Sequence, residues 1–127
     1  MDKSSQYIRM CESAKVIQEK WKPEFGDFFV SMSLGLTSLC QPITSDLEKK
    51  ASYLKKIKAV WLPRQDQLQE MVIENYAMPW DLALAFSNVL MGENASYFEK
   101  FDSMEKLWFA FIMLEKYKKK WIDEEWV

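Results

Sequence analysis

The sequence predicts an α+β fold, predominantly helical, with about four or five helices and a small β-hairpin or short sheet at about residues 28–41 and 59–62. Three observations predict it. Most of the chain repeats its apolar residues three and four apart, the spacing of a helix with one buried side. Phe28 to Met32 and Ala59 to Leu62 are instead short aromatic or β-branched runs, as strands are. The 127 residues are 49% hydrophobic with only three glycines and four prolines, which suits a single globular domain over 1–127 with a real core.

Residues 4–21 read as the first helix. Tyr7, Ile8, Cys11, Ala14 or Lys15, and Ile17 or Gln18 share a face; Ser4 or Ser5 caps it and Pro23 stops it. Gly26-Asp27 reads as a turn into the strand Phe28 to Met32. Gly35 then turns the chain into a second strand at about Leu36 to Gln41, closed by Pro42, with a loop over Ser33 to Cys40 as the alternative. Ser45-Asp46-Leu47-Glu48 is a capping box. It opens a helix over about 46–57 with Leu47, Ala51, Leu54 and Ile57 or Lys58 inward, and Lys49, Lys50, Lys55 and Lys56 on a solvated face.

Ala59 to Leu62 reads as a third strand, and Pro63 suits the first turn of a helix over about 64–76. Leu68, Met71 and Val72 form its stripe. At roughly 100° per residue, Arg64, Gln65 and Asn75 project on the same side, while Asp66, Gln67 and Glu70 point away. Met78-Pro79-Trp80 interrupts. Asp81 to Met91 resumes as an apolar helix that buries Leu82, Ala85, Phe86, Val89 and Leu90, with Gly92 as a left-handed C-cap.

Glu93 to Phe101 reads as a connector with Tyr97, Phe98 and Phe101 packing, with a short turn of helix as an option. Asp102 or Ser103 caps the last helix. Its run Leu107 to Leu114 is apolar all round, so it is either the hydrophobic centre or in part meets another subunit. Lys116, Lys118, Lys119 and Lys120 gather where the helix dipole favours cations, and Trp121 and Trp126 fold back onto the body.

Composition narrows the chemistry. With no histidine, the commonest general base and metal ligand are both missing. Cys11 and Cys40 form no CxxC pair and read as reduced, largely buried thiols, with a single disulfide as the alternative; Asp123, Glu124 and Glu125 read as a solvated acidic run. No catalytic set, metal site or cofactor is expected. A net charge of −2 gives no global field for nucleic acid. No apolar run approaches the roughly 18 residues of a membrane span, and Met1 to Lys20 lacks a signal-peptide pattern. The reading is a cytoplasmic protein without a membrane partner.

One polar constellation stands out. Arg64 on the core side needs an anion, because an unpaired charge away from water is costly. Asp102 and Glu105 offer one, with Asp66 or Asp81 nearer in sequence. The first reading is a satisfied network of Arg64, Gln65 and Asn75 tying the middle helix to the last. The alternative is a small polar pocket floored by Arg64 and Gln65 and walled by Trp61 and Trp108, suited to anionic or planar ligands.

Two stretches carry a family resemblance. The run Trp61-Leu62-Pro63-Arg64-Gln65-Asp66-Gln67-Leu68-Gln69-Glu70-Met71 resembles a signature of small uncharacterised phage and prophage proteins of Gram-positive bacteria. The run Phe101-Asp102-Ser103-Met104-Glu105-Lys106-Leu107-Trp108-Phe109-Ala110-Phe111, with Glu115-Lys116-Tyr117 and the Trp-rich end, is similar to the C-terminal signature of that group, and Gly26-Asp27 followed by aromatics to its N-terminal part. Those proteins tend to end in a Trp-Asp/Asn-Gly-Glu turn before the last Trp. Here Trp121-Ile122-Asp123-Glu124-Glu125-Trp126 lacks the glycine, which counts against a tight terminal hairpin. The match covers about half the chain. It implies a viral or prophage gene of a bacterial host and no particular reaction.

The leading expectation is a non-enzymatic accessory protein that binds a protein partner or another copy of itself. It rests on the aromatic excess and on a helix apolar on opposite faces. The alternatives are nucleic-acid association through Lys49 to Lys58 and Lys116 to Lys120, and small-ligand binding at Arg64 and Gln65.

Overall fold

The computed structural model describes residues 1–33 and 40–127. In chain order they form α1 (Ser5–Ser13), α2 (Lys15–Gln18), β1 (Phe28–Ser31), β2 (Gln41–Pro42), α3 (Asp46–Lys49), α4 (Ala51–Lys56) and β3 (Ala59–Leu62). There follow α5 (Gln65–Ile73), α6 (Pro79–Met91), α7 (Ala95–Phe98), α8 (Met104–Tyr117), β4 (Trp121–Ile122) and β5 (Glu125–Trp126). The fold is α+β and mostly helical. Eight helices among the described residues replace the expected four or five, for identifiable reasons. Ala14 (φ −91°, ψ 75°) breaks the first helix, the extended Lys50 (φ −73°, ψ 127°) splits the second, and one turn of helix forms in the connector. No helix among the described residues is long and apolar enough to cross a membrane. The chain divides into two compact units, Lys3–Arg64 and Met1–Asp2 with Gln65–Val127.

The first unit is built on a three-stranded antiparallel sheet of order β2-β1-β3, with Phe29 opposite Trp61 and Val30 opposite Val60. Gln41 and Pro42 pair with Phe29 and Phe28, so the end of the expected return strand is present; its stretch over 36–39 lies outside the described residues. On one side of the sheet Phe29, Ile43 and Leu54 form a core, with Trp21, Tyr53, Ile57 and Ala59 packed against it. Leu47, expected inward, is exposed because the break at Lys50 takes α3 off the face that α4 buries, and Ala51, also expected inward, is exposed at the first position of α4. Ser45 does cap α3, and the Glu48 carboxylate accepts from the Thr44 amide and from the Thr44 and Ser45 hydroxyls. Helix α1 lies along β3. It buries Tyr7, Met10 and Cys11, and the Tyr7 hydroxyl donates to the Pro63 carbonyl at 2.7 Å.

The second unit is organised around α8. Trp108 to Met113 are all buried, so the run that is apolar on every side is a hydrophobic centre. The Ser103 hydroxyl accepts from the Lys106 amide at its start, and Lys118, left-handed at φ 57°, closes its end. Helix α5 packs on α8 and buries Leu68 and Val72. Helix α6 begins two residues earlier than expected: Pro79 occupies its first turn, and the Asp81 carboxylate accepts from the Met78 amide at 3.1 Å. Gly92 ends α6 at φ −88°, not left-handed. Its lack of a side chain matters by proximity instead, since a Cβ there would lie 2.9 Å from the Asn88 carbonyl oxygen.

Strands β4 and β5 form a hairpin despite the missing glycine. Trp121 faces Trp126, and Lys120 and Val127 exchange hydrogen bonds of 2.9 and 2.8 Å. Asp123 and Glu124 make the turn themselves, both left-handed at φ 51° and 64°. Such a mirror-image turn matches strand twist but costs a residue with a Cβ about 1 kcal/mol. The burial of Trp121, and the stacking of Trp126 on Phe109 at 5.5 Å, offset that cost.

Candidate functional site

The seven residues singled out from sequence divide between the units: Trp61 and Arg64 belong to the first, and Gln65, Asn75, Asp102, Glu105 and Trp108 to the second. Arg64 has a partner that the sequence reading did not name. Its guanidinium donates to the Gly26 carbonyl at 2.9 Å and lies 3.6 Å from the Asp27 carboxylate. Asp27 is buried and also accepts from the Trp21 indole at 2.9 Å and the Glu24 amide at 3.0 Å. Gly26, at φ 86°, permits the turn that brings this carboxylate inward. Trp61 stacks parallel to Trp21, ring centroids 5.9 Å apart. In this unit arginine, carboxylate and indole therefore satisfy one another and tie the Gly26 turn to the end of β3.

A second polar detail closes the sheet. The side-chain amide of Gln18 donates to the Trp61 carbonyl (2.9 Å) and the Cys11 carbonyl (3.1 Å) and accepts from the Trp61 amide (2.9 Å). It acts as one residue of a neighbouring strand and covers the open edge of β3, a place where proteins otherwise invite pairing with another chain.

In the second unit the polar centre is Lys106, buried in α8. Its ammonium lies 2.6 Å from the Asp102 carboxylate and 3.6 Å from that of Asp2, which also accepts from the Ser103 hydroxyl at 2.5 Å. The lysine's hydrogen bond, and then its charge, hold the Asp102 carboxyl below its usual range. Glu105 accepts from the Asp2 amide at 2.9 Å. Gln65 is half-buried at the start of α5, and Asn75 is exposed beyond its end. Trp108 is buried by stacking on Phe86 at 3.8 Å, with no hydrogen-bond partner for its indole N–H among the described residues. Neither cysteine is in a disulfide, and burial pushes the Cys40 thiol up. Among the described residues no three Cys, Asp or Glu side chains gather as a metal site.

Helix α6 is the least satisfied apolar element. One side carries Leu82, Phe86 and Val89; Phe86 stacks on Trp108 and meets Phe111 edge-on. The opposite side carries Trp80, Leu84, Ser87 and Met91 in one line along the helix. Trp80 is 63% exposed, Leu84 62% and Met91 73%. Beside the C-terminal half of this line lies a recess of about 290 Å³, lined by Asn88, Val89, Gly92, Glu93, Asn94 and Glu115. The bifacial apolar character that the sequence shows in α8 is thus buried over Trp108 to Met113, and it is α6 whose second face stays open.

No family model, curated protein or solved structure matches this chain.

Sequence reasoning missed Asp27, Gln18, Lys106 and the outer face of α6. Gly26-Asp27 was legible as a turn, but the inward carboxylate follows from strand pairing far along the chain. Gln18 did fall on the inward face of the first helix, and a polar residue there was the one available signal. For α6 the signal was present and unused: Trp80, Leu84 and Met91 lie at helical spacing outside the expected buried set.

Proposed function

We propose that this is a non-enzymatic interaction module that docks a protein on the outer face of α6. The observation that carries it is the line Trp80, Leu84 and Met91, three large apolar side chains more than half exposed on one side of α6. Together they expose roughly 400 Å² of apolar surface, the size of the largest patch on a typical soluble monomer, which is often functional. The resemblance to small phage and prophage proteins supports an accessory role in a bacterial cytoplasm, and the absence of histidine from the sequence weighs against acid–base chemistry.

The nucleic-acid reading has less support. Lys116, Lys118 and Lys120 are engaged by the Met71 carbonyl, the Glu115 carbonyl and the Asn94 side chain of their own unit. A photoreactive residue at position 84 tests the docking reading, with position 70, also exposed, as control. In cells, position 84 gives a discrete protein adduct and position 70 does not; no adduct at 84 refutes the reading.

A further inference from the structure

We infer that the occupant of this face is a second copy of the chain, its α6 packed antiparallel about a two-fold axis. The inference rests on the docking reading above. Three features of α6 select this occupant.

The first is spacing. Trp80, Leu84, Ser87 and Met91 follow one another at intervals of four, three and four residues, so the line reads the same from either end about a point between Ala85 and Phe86. A two-fold axis at that point sets Leu84 of one copy against the small Ser87 of the other, and Trp80 against the flexible Met91. Large meets small at the centre, as close helix packing requires, and sulfur meets aromatic at each end. An isologous interface needs this self-complementarity.

The second is the recess. It adjoins Met91 on the side of Asn88 and Gly92, where the axis brings the partner's Trp80. Its roughly 290 Å³ is ample for an indole ring, and Asn88, Glu93, Asn94 and Glu115 place oxygen acceptors around it for the indole N–H. Knob and hole therefore lie at opposite ends of one helix, each offered twice.

The third is charge. Asp81 is the only charged residue of α6, and its carboxylate is spent on the helix's own first turn. Helix α6 carries no lysine or arginine of its own, so the line offers no cation from its own helix to an anionic lipid surface. Antiparallel pairing keeps the two Asp81 side chains at opposite ends and sets the helix dipoles head to tail. Trp80, Leu84 and Met91 of two copies expose roughly 800 Å² together, below the usual size of stable specific interfaces, so the dimer is a weak one.

Sedimentation from low micromolar to millimolar concentration tests this. The wild type shifts from monomer to dimer; Leu84→Glu stays monomeric throughout; Trp80→Ala and Asn88→Arg, which removes the knob and fills the hole, each weaken the dimer at least tenfold. Met104→Glu, at another exposed apolar position, leaves it unchanged. All four positions are exposed, and unchanged melting temperatures show that folding is intact. In a Cys40→Ser background, mixed Leu84→Cys and Ser87→Cys chains cross-link to each other in preference to themselves. A wild type that stays monomeric at millimolar concentration overturns the inference. So does a dimer indifferent to Leu84→Glu, or cross-linking of Leu84→Cys mainly to itself. A monomer that still gives a heterologous adduct from position 84 overturns only the second copy and leaves the docking reading standing.

Discussion

Replacing Gln18 with leucine tests how the first unit protects its sheet. Leucine has nearly the same reach and fits the half-buried site. It removes three hydrogen bonds at once, to the Trp61 carbonyl, the Cys11 carbonyl and the Trp61 amide. Each bond contributes about 1 kcal/mol net, and each backbone group left dry costs about 1–3 kcal/mol. Water reaches part of the site and added apolar contact recovers part of the loss, so Gln18→Leu destabilises by about 2–4 kcal/mol. Urea unfolding reads this as a lower midpoint at unchanged slope. Gln18→Glu supplies the internal control. Its carboxylate still accepts from the Trp61 amide but faces two carbonyl oxygens, so its folded-state pKa lies above the ordinary value. The charged form is the destabilising one, and this variant gains stability as pH falls through that raised pKa. A Gln18→Leu midpoint equivalent to less than about 0.5 kcal/mol, or a Gln18→Glu variant indifferent to pH, would refute the reasoning.

Two further predictions concern the second unit. Asp123→Asn with Glu124→Gly puts residues that accept left-handed backbone into the terminal turn, and raises stability by about 1 kcal/mol in the same unfolding assay; a loss of stability would mean the hairpin does not form this turn. Asp102, held below its usual pKa by Lys106, contributes stability above the ordinary carboxylate range, and loses it as pH falls through the depressed value. The gap in melting temperature between wild type and Asp102→Asn is therefore constant at neutral pH and closes at the acid end. A gap that widens with acid contradicts the pairing.

Much of the fold was legible locally. Ser45 and Ser103 cap the helices they were expected to cap, and Ala59 to Leu62 is a strand, because these depend on a few adjacent residues. The helix breaks at Ala14 and Lys50 were not, since alanine and lysine favour helix and only the packing of α1 on β3 and of α4 under the sheet overrides them. The terminal turn shows the same limit in reverse: Glu124 is a poor choice for left-handed backbone, yet the buried Trp121 and its contact with the half-buried Trp126 hold the turn there. At the polar centre, helical spacing identified Arg64 as a residue in need of an anion. It could not identify which anion, because Asp27 is brought to it by the pairing of β1 with β3.

The contact between Asp2 and Ser103 has a consequence in time. It joins residues 101 apart, and closing so long a loop carries an entropic cost that a single hydrogen bond does not repay until the rest of the unit is in place. Residues 3–64 emerge from the ribosome with all of their own unit's contacts in hand. Asp2 emerges before them and waits until α8 has been made. The buried ammonium of Lys106 thus acquires its second carboxylate from a residue made long before it, and this unit is completed only when Asp2 reaches α8.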